Sequence, residues 1–273
     1  MDTVNLSAEY QRTEVEGSQG TDSDRVIGTV AWDHIFSDTF TGGVKAETNR
    51  AELDTGEEID SNTFRLTFTQ RWVATLVSGS LGYTEQERRF GNTIQESNAI
   101  VGDIMVQRSI NPSTDLYFTA SRDLTDQTSD FDTQFDEFQF NLQESSTVEV
   151  TAAEAGINKR FSDASSVNVG FNASRSLYLL TDTREDSFGL STRYVRPVAE
   201  QLLFNAGASY RYLRYQDETS EDNIASVDLG LVYQLNRKLD LSGRIGHNQR
   251  TSNVAGREYT ENWVLVGLNY RFL

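Results

Sequence analysis

The chain contains no cysteine, only two prolines and only two histidines. The missing cysteines exclude disulfide staples, thiolate metal sites and cysteine nucleophiles. Two histidines leave little room for a His-rich metal centre or for several His-dependent catalytic steps. No stretch approaches the ~18 consecutive apolar residues of a membrane-spanning helix, so a helical membrane protein is excluded. Basic residues are also scarce, with 24 Lys and Arg against 41 Asp and Glu and a formal charge of −17. Such a surface repels phosphate, so nucleic acid is not an expected partner. Aromatic residues make up 11% of the chain, and they recur too regularly for a disordered polymer.

A period of two runs through nearly the whole sequence. Val4, Leu6, Ala8 and Tyr10 alternate with Asn5, Ser7, Glu9 and Gln11. Phe64, Leu66 and Phe68 alternate with Arg65, Thr67 and Thr69, and Val227, Leu229, Leu231 and Tyr233 alternate with polar partners in the same way. Successive side chains of a strand point to opposite faces, so each segment has one apolar and one polar face. Helical spacing is sustained nowhere. The pattern predicts about fourteen strands, at about 2–13, 25–36, 38–51, 61–73, 75–88, 97–109, 113–124, 147–161, 165–178, 186–196, 200–213, 223–235, 238–250 and 260–273. Most exceed the ~5–6 residues usual in soluble sheets and reach the ~9–11 that a tilted strand needs to cross hydrocarbon.

Connections alternate in length. Short turns are expected around Ser37-Asp38, Ala74-Thr75, Ile110-Asn111-Pro112, Ser162-Asp163, Pro197-Val198 and Asn236-Arg237. Long polar loops are expected at about 14–24, 52–60, 89–96, 125–146, 179–185, 214–222 and 251–259. Both prolines then fall in turns, where no ladder N–H is lost. Sorting loops by length between two rims is the build of outer-membrane barrels, with short periplasmic turns and long extracellular loops. The expectation is therefore a single domain over residues 1–273: an all-β, transmembrane, antiparallel up-and-down β-barrel with periplasmic termini. An open strand edge in lipid would leave backbone groups unsatisfied, so the first and last strands are expected to pair. Met1-Asp2 leads straight into the alternating pattern, and the sequence reads as a mature or trimmed chain.

The polar rows carry both signs of charge, and lumen-lining positions are expected at Arg65, Arg71, Asp103, Arg160, Arg193, Arg211, Asp228, Asp240, Arg244 and Arg271. The same rows hold many small residues, among them Gly43, Gly82, Gly156, Gly207, Gly230 and Gly246, which argues for open space inside. Aromatics gather at the ends of the apolar rows. A girdle at the short-turn rim is expected from Trp32, Phe36, Trp72, Phe161, Tyr233, Tyr270 and Phe272, since amphipathic rings suit the headgroup boundary.

The final segment has Thr251-Ser252-Asn253, then Tyr259-Thr260-Glu261-Asn262, then Gly267-Leu268-Asn269-Tyr270-Arg271-Phe272. It resembles the end of bacterial outer-membrane barrels, and most of all the β-barrel porin families encoded near exopolysaccharide and exosortase loci. The resemblance implies recognition of the last strand by the barrel-assembly machinery through its terminal aromatic residue. Here Phe272 is penultimate and Leu273 follows. It also implies a role in the passage of surface polysaccharide, with a periplasmic polysaccharide-export protein as a partner alongside outer-membrane lipid and lipopolysaccharide.

No cofactor or metal motif is present: neither a P-loop nor a GxGxxG opening a helix occurs, and no acidic loop has EF-hand order. His34 falls on an outward row beside Trp32 and Phe36, and His247 falls near the loop end of its strand with Asn248 beside it. A Ser-His-Asn lipase set at His247 lacks any oriented partner in the sequence, so no enzyme is expected. The acids concentrate in the loops, for example Glu52, Asp54, Glu57, Glu58 and Asp60, and the run Asp123, Asp126, Asp130, Asp132, Asp136 and Glu137. They read as a solvated extracellular rim. Loop 125–146, with Phe131, Phe135, Phe138, Phe140 and Leu142, is expected to form an extracellular hairpin, the commoner outcome, or to fold inward as a constriction. The expected function is a channel or porin-like passage for polysaccharide or small hydrophilic solutes. The alternative is a structural or adhesive barrel with acidic loops and no open pore.

Overall fold

The structure is a computed structural model that describes residues 1–13, 22–125, 147–216 and 220–271. The described residues form fourteen strands: β1 (Asp2–Thr13), β2 (Ser23–Ser37), β3 (Phe40–Leu53), β4 (Glu57–Arg71), β5 (Thr75–Phe90), β6 (Thr93–Asn111) and β7 (Thr114–Thr125), followed by β8 (Val148–Arg160), β9 (Ser166–Tyr178), β10 (Thr183–Ala199), β11 (Leu202–Tyr215), β12 (Ser220–Asn236), β13 (Leu239–Ser252) and β14 (Tyr259–Tyr270). Sheet order follows chain order from β1 to β14. Each strand pairs antiparallel with the next wherever the register is described. This is the all-β, up-and-down architecture of transmembrane barrels, and no helix occurs among the described residues. Contacts gather into two compact units. The first comprises Met1–Val106, Ala120–Thr151 and Ser176–Asp182, and the second comprises Gln107–Thr119, Ala152–Arg175 and Thr183–Leu273.

Every strand appears within about four residues of its expected ends, and at the loop rim nearly all the deviations lengthen the strands. The expected loop 52–60 shrinks to a turn closed by Gly56 N–H donating to Leu53 O at 2.9 Å, with Gly56 at φ +79°. The expected loop 89–96 is a two-residue hairpin at Gly91-Asn92, with Gly91 at φ +58°. Both glycines hold left-handed backbone that a β-carbon would strain. These segments read as loops because they are charged. They are instead strands that continue beyond the apolar band, where the outward row turns to ion pairs. Arg50 lies 3.3 Å from Glu58, and Arg89 lies 2.6 Å from Glu87. Such exposed pairs add little to stability, because water screens them.

Pro197 is a second correction. It lies within β10, paired with Leu203, where the register shifts between Pro197 and Ala199. A proline removes a ladder donor, and a bulge near a strand end accommodates that loss. The other short turns follow side-chain chemistry: Asn111 Oδ1 accepts from Ser113 N–H at 3.0 Å, Asp163 Oδ1 from Ser165 N–H at 3.1 Å and Asn236 Oδ1 from Lys238 N–H at 2.8 Å. Each is an Asx turn that replaces a backbone bond. The Ser165 hydroxyl also donates to Asp163 Oδ1, and this bond, with the N–H bond, holds the Asp163 carboxyl below the usual carboxylate range.

Register and exposure separate the two faces. In β4, Phe64, Leu66 and Phe68 stand exposed, paired with Ala46, Val44 and Gly42 on one side and Tyr83, Leu81 and Gly79 on the other. An uncovered apolar sheet face of this extent does not suit water. From Phe64 to Trp72 this row spans roughly 20 Å normal to the membrane once strand tilt is allowed for, close to the ~25 Å band of such barrels. The intervening row carries Arg65, which reaches Asp103 on β6 and Asp123 on β7. Side chains from strands two and three places apart meet only on the concave side of a curved sheet, so the odd row of β4 is the inner one.

Candidate functional site: the concave wall

In the first unit the inner wall is organised by Arg65. Its guanidinium lies 2.8 Å from the Asp123 carboxylate and 3.8 Å from that of Asp103, and it donates to Ser80 Oγ at 3.4 Å. Ser80 in turn bonds Asp103. The side chain crosses β5 by lying on Gly82, where a β-carbon would stand 2.6 Å from Arg65 Cγ. Lys45 pairs with Glu47 at 2.7 Å one register step away. Towards the loop end the same wall is dry: Arg25, Ala51, Leu53, Glu57, Ile59, Thr84, Gln86 and Val101 are all buried. Glu57 pairs there with Arg88. Ala99, Val101 and Leu124 form an apolar cluster with Leu179 packed against it. The turn-end inner residues of this unit, such as Asp33, Thr69 and Ser78, are only half-buried.

The second unit repeats the design with other residues. Tyr117 lies over Gly156 and donates to Glu154 at 2.8 Å. Arg160 meets Asp115 at 3.1 Å, Arg244 meets Asp228 at 3.0 Å and Arg271 meets Asp240 at 2.9 Å. Arg193 stands on the inner row of β10 opposite Gly207, and Arg211 stands between Gly189 and Ile224. Arg71 closes β4 at the turn rim, exposed, with its N–H donating to Thr39 O at 2.8 Å.

The glycines of the inner row do not mark empty space, contrary to the sequence expectation. Gly43 is covered by Asp33, Gly82 by Arg65, Gly156 by Tyr117, Gly207 by Asp228, Gly230 by Asn205 and Arg244, and Gly246 by Trp263. Each missing side chain makes room for a long one from a neighbouring strand to lie flat on the wall. Trp263, Tyr117 and the Glu57–Arg88 pair were not singled out from sequence. Counting by twos back from Arg271 places Trp263 on the inner row, and that parity was the available signal.

At the loop end of the second unit, beyond the outward pair Arg184 and Asp186, the half-buried Glu185 shares the wall with Asp222, Arg250, Arg211 and Tyr215. Burial raises the Glu185 carboxyl above its ordinary value, with the Asp222 charge adding to this and Arg211 and Arg250 opposing it. Burial, with the Glu185 and Asp222 charges, pushes Tyr215 up to about 12. A carboxyl with a raised folded pKa holds its proton more tightly in the folded state than in the unfolded one. Its contribution to stability is therefore fully present below the ordinary value of 4.5 and is lost as pH rises through the raised one. Glu185→Gln is accordingly expected to flatten this dependence: urea unfolding between about pH 4 and pH 8 shows wild type losing stability relative to the variant as pH rises. A wild-type curve parallel to that of the variant would remove the claim.

The outward faces carry the aromatic rim. Trp32, Phe36, Trp72, Phe161, Tyr233 and Tyr270 are between 40% and 61% exposed, while Phe272 lies outside the described residues. Trp32, His34, Phe36 and Phe40 form a continuous stack with centroids 6.0, 4.6 and 5.4 Å apart. His34 Nδ1 lies 2.7 Å from Asp2. His247 is on the outward row, with Nδ1 2.8 Å from Asn262 Oδ1. The acids Asp126, Asp130, Asp132, Asp136 and Glu137, and the aromatic segment between residues 131 and 142, lie outside the described residues.

The family described as "Putative beta-barrel porin 2" matches residues 187–272. Among solved structures, a loop L8 deletion form of the outer-membrane protein OmpT of Vibrio cholerae aligns at 11% identity, covering 98% of this chain and 99% of that one, with a TM-score of 0.52. The copper transporter OprC aligns at 11% identity over 91% of this chain and 47% of its own, with a TM-score of 0.60. A ferric enterobactin receptor mutant of Pseudomonas aeruginosa aligns at 12% identity over 89% and 45%, with a TM-score of 0.54. Comparison with curated proteins returns no match.

Proposed function

We propose that this chain, an outer-membrane β-barrel of porin-like build, is a passive conduit for small hydrophilic solutes or for polysaccharide. The observation that carries the reading is the inner wall itself. Each unit has arginines of this wall paired with carboxylates, as in Arg65 with Asp103 and Asp123 or Arg244 with Asp228. A wall of neutralised pairs offers many donors and acceptors without a strong field of one sign. It suits uncharged, hydrogen-bonding cargo more than ions, because hydrated sugar exchanges hydrogen bonds with such groups along a pore. Much of the acidity lies at the outward loop rim, where Glu52, Glu58 and Asp60 surround Arg50.

In this reading the long loops face the exterior and the termini face the periplasm, where a polysaccharide-export protein would meet the short-turn rim. The final strand is the segment handed to the assembly machinery, and lipid and lipopolysaccharide cover the apolar rows. No catalytic step is assigned to His34 or His247.

Single-channel recording on the folded protein tests the proposal. Arg65→Ala is expected to raise conductance and shift selectivity towards cations, since Asp103 and Asp123 lose their shared partner. Absence of conductance above the bilayer background in both proteins would overturn it. The dry loop-end wall of the first unit supports a second reading, a sealed structural barrel whose acidic loops contact surface glycans, and the same recording separates the two.

A further inference from the structure

Two of the three tryptophans belong to the lipid face. Trp32 and Trp72 are exposed on it. The third, Trp263, sits half-buried on the inner row of β14, opposite Gly246. A boundary role does not account for an indole turned away from lipid. Gly246 leaves the ring room to lie flat, since a β-carbon there would stand 2.9 Å from Trp263 Nε1 and nearer still to two ring carbons. The Arg244 guanidinium carbon is 5.6 Å from the ring centroid, and Arg244 is bonded to Asp228 at 3.0 Å. Asn205 lies alongside, a β-carbon at Gly230 falling 2.9 Å from both Asn205 Nδ2 and Arg244 Cγ. Asn205 Oδ1 and Arg244 Nε are buried against this patch and have no hydrogen-bond partner among the described residues.

We propose that Trp263, Arg244, Asp228 and Asn205 form a saccharide-binding subsite on the inner wall, with a pyranose ring as the unit recognised. A flat aromatic face takes the C–H-rich side of a sugar ring. A guanidinium, a carboxylate and an amide in one patch supply both donors and acceptors to vicinal hydroxyls. The Arg244–Asp228 pair cancels its own charge, which disfavours an ionic ligand, and its polarity disfavours a purely apolar one. The inference deepens the conduit reading and rests on its wet inner wall, but binding at this patch requires no open bore. Loss of sugar binding and loss of conductance are therefore separate failures.

The test uses the full chain folded in an amine-oxide detergent, which has no sugar headgroup, with folding checked by heat-modifiable gel mobility. Trp32→Phe with Trp72→Phe leaves Trp263 as the sole indole. Maltotetraose is the probe and tetraethylene glycol the acyclic control. A saturable change in Trp263 emission with maltotetraose and none with the glycol is expected. By calorimetry, Trp263→Leu weakens binding about tenfold or abolishes it, and Gly246→Val, which displaces the indole without removing it, weakens it in the same direction. Folded protein that shows no saturable emission change overturns the proposal. So does maltotetraose affinity that is unchanged in Trp263→Leu.

Discussion

Leu66→Arg is expected to prevent stable membrane insertion, whereas Thr67→Arg, one residue further on, is tolerated. Leu66 lies within the apolar band, 55% exposed, paired with Val44 and Leu81. An arginine on the lipid face near the bilayer midplane costs about 2–4 kcal/mol, a large part of the ~5–15 kcal/mol that holds a typical domain folded. Thr67 stands on the inner row between Gly43 and Ser80, where a cation meets water and the Asp33 and Asp103 carboxylates nearby. Refolding into lipid vesicles under urea, read by gel mobility, should separate the two variants. Equal losses at both positions would mean that the two faces share one environment.

Glu57→Ala is expected to be nearly as damaging, by a different mechanism. Glu57 and Arg88 are an ion pair at the loop end of the first unit, 4% and 14% exposed at their side chains. Removing Glu57 takes the paired carboxylate away from a largely buried cation, and breaking a buried pair in this way costs about 3–5 kcal/mol. Replacing both, as in Glu57→Leu with Arg88→Met, should recover most of that loss, because the desolvation cost of both charges vanishes together. A double variant no more stable than Glu57→Ala would show that packing, and not the stranded charge, sets the penalty.

The strands were legible because period two is imposed by the backbone itself. A segment with lipid on one side and polar groups on the other repeats it over much of its length, as from Val4 to Tyr10 or from Val227 to Tyr233. Strand ends at the loop rim were less legible. Beyond the apolar band the outward row of β3, β4 and β5 turns charged, as at Arg50, Glu58 and Arg89, and polarity then no longer distinguishes a strand in water from a loop. Gly56 and Gly91 signal turns, but not that the turns are two or three residues long. Pro197 misled because a bulge inside β10 absorbs the missing donor.

The inner wall was legible by position and not by packing. Parity places Arg65, Asp103, Arg244 and Asp228 on polar rows. It cannot show that Arg65 spans to β7, or that Gly82 and Gly246 are seats for neighbouring side chains and not gaps. Those facts depend on sheet curvature and stagger, which no single strand encodes. The Trp263 patch was hidden for the same reason: its four members come from four strands and converge only through register.

Thiol scanning along β4 tests directly whether the apolar rows face lipid. The chain has no cysteine of its own, so each of positions 64 to 69 can carry the only thiol in the protein. In lipid vesicles, a reporter attached at Phe64, Leu66 or Phe68 should be quenched by spin-labelled acyl chains and be inert to aqueous quencher. One at Arg65, Thr67 or Thr69 should show the reverse. Lipid quenching that fails to alternate along the strand, or aqueous access at Leu66 equal to that at Thr67, would contradict the assignment of the apolar rows to the bilayer.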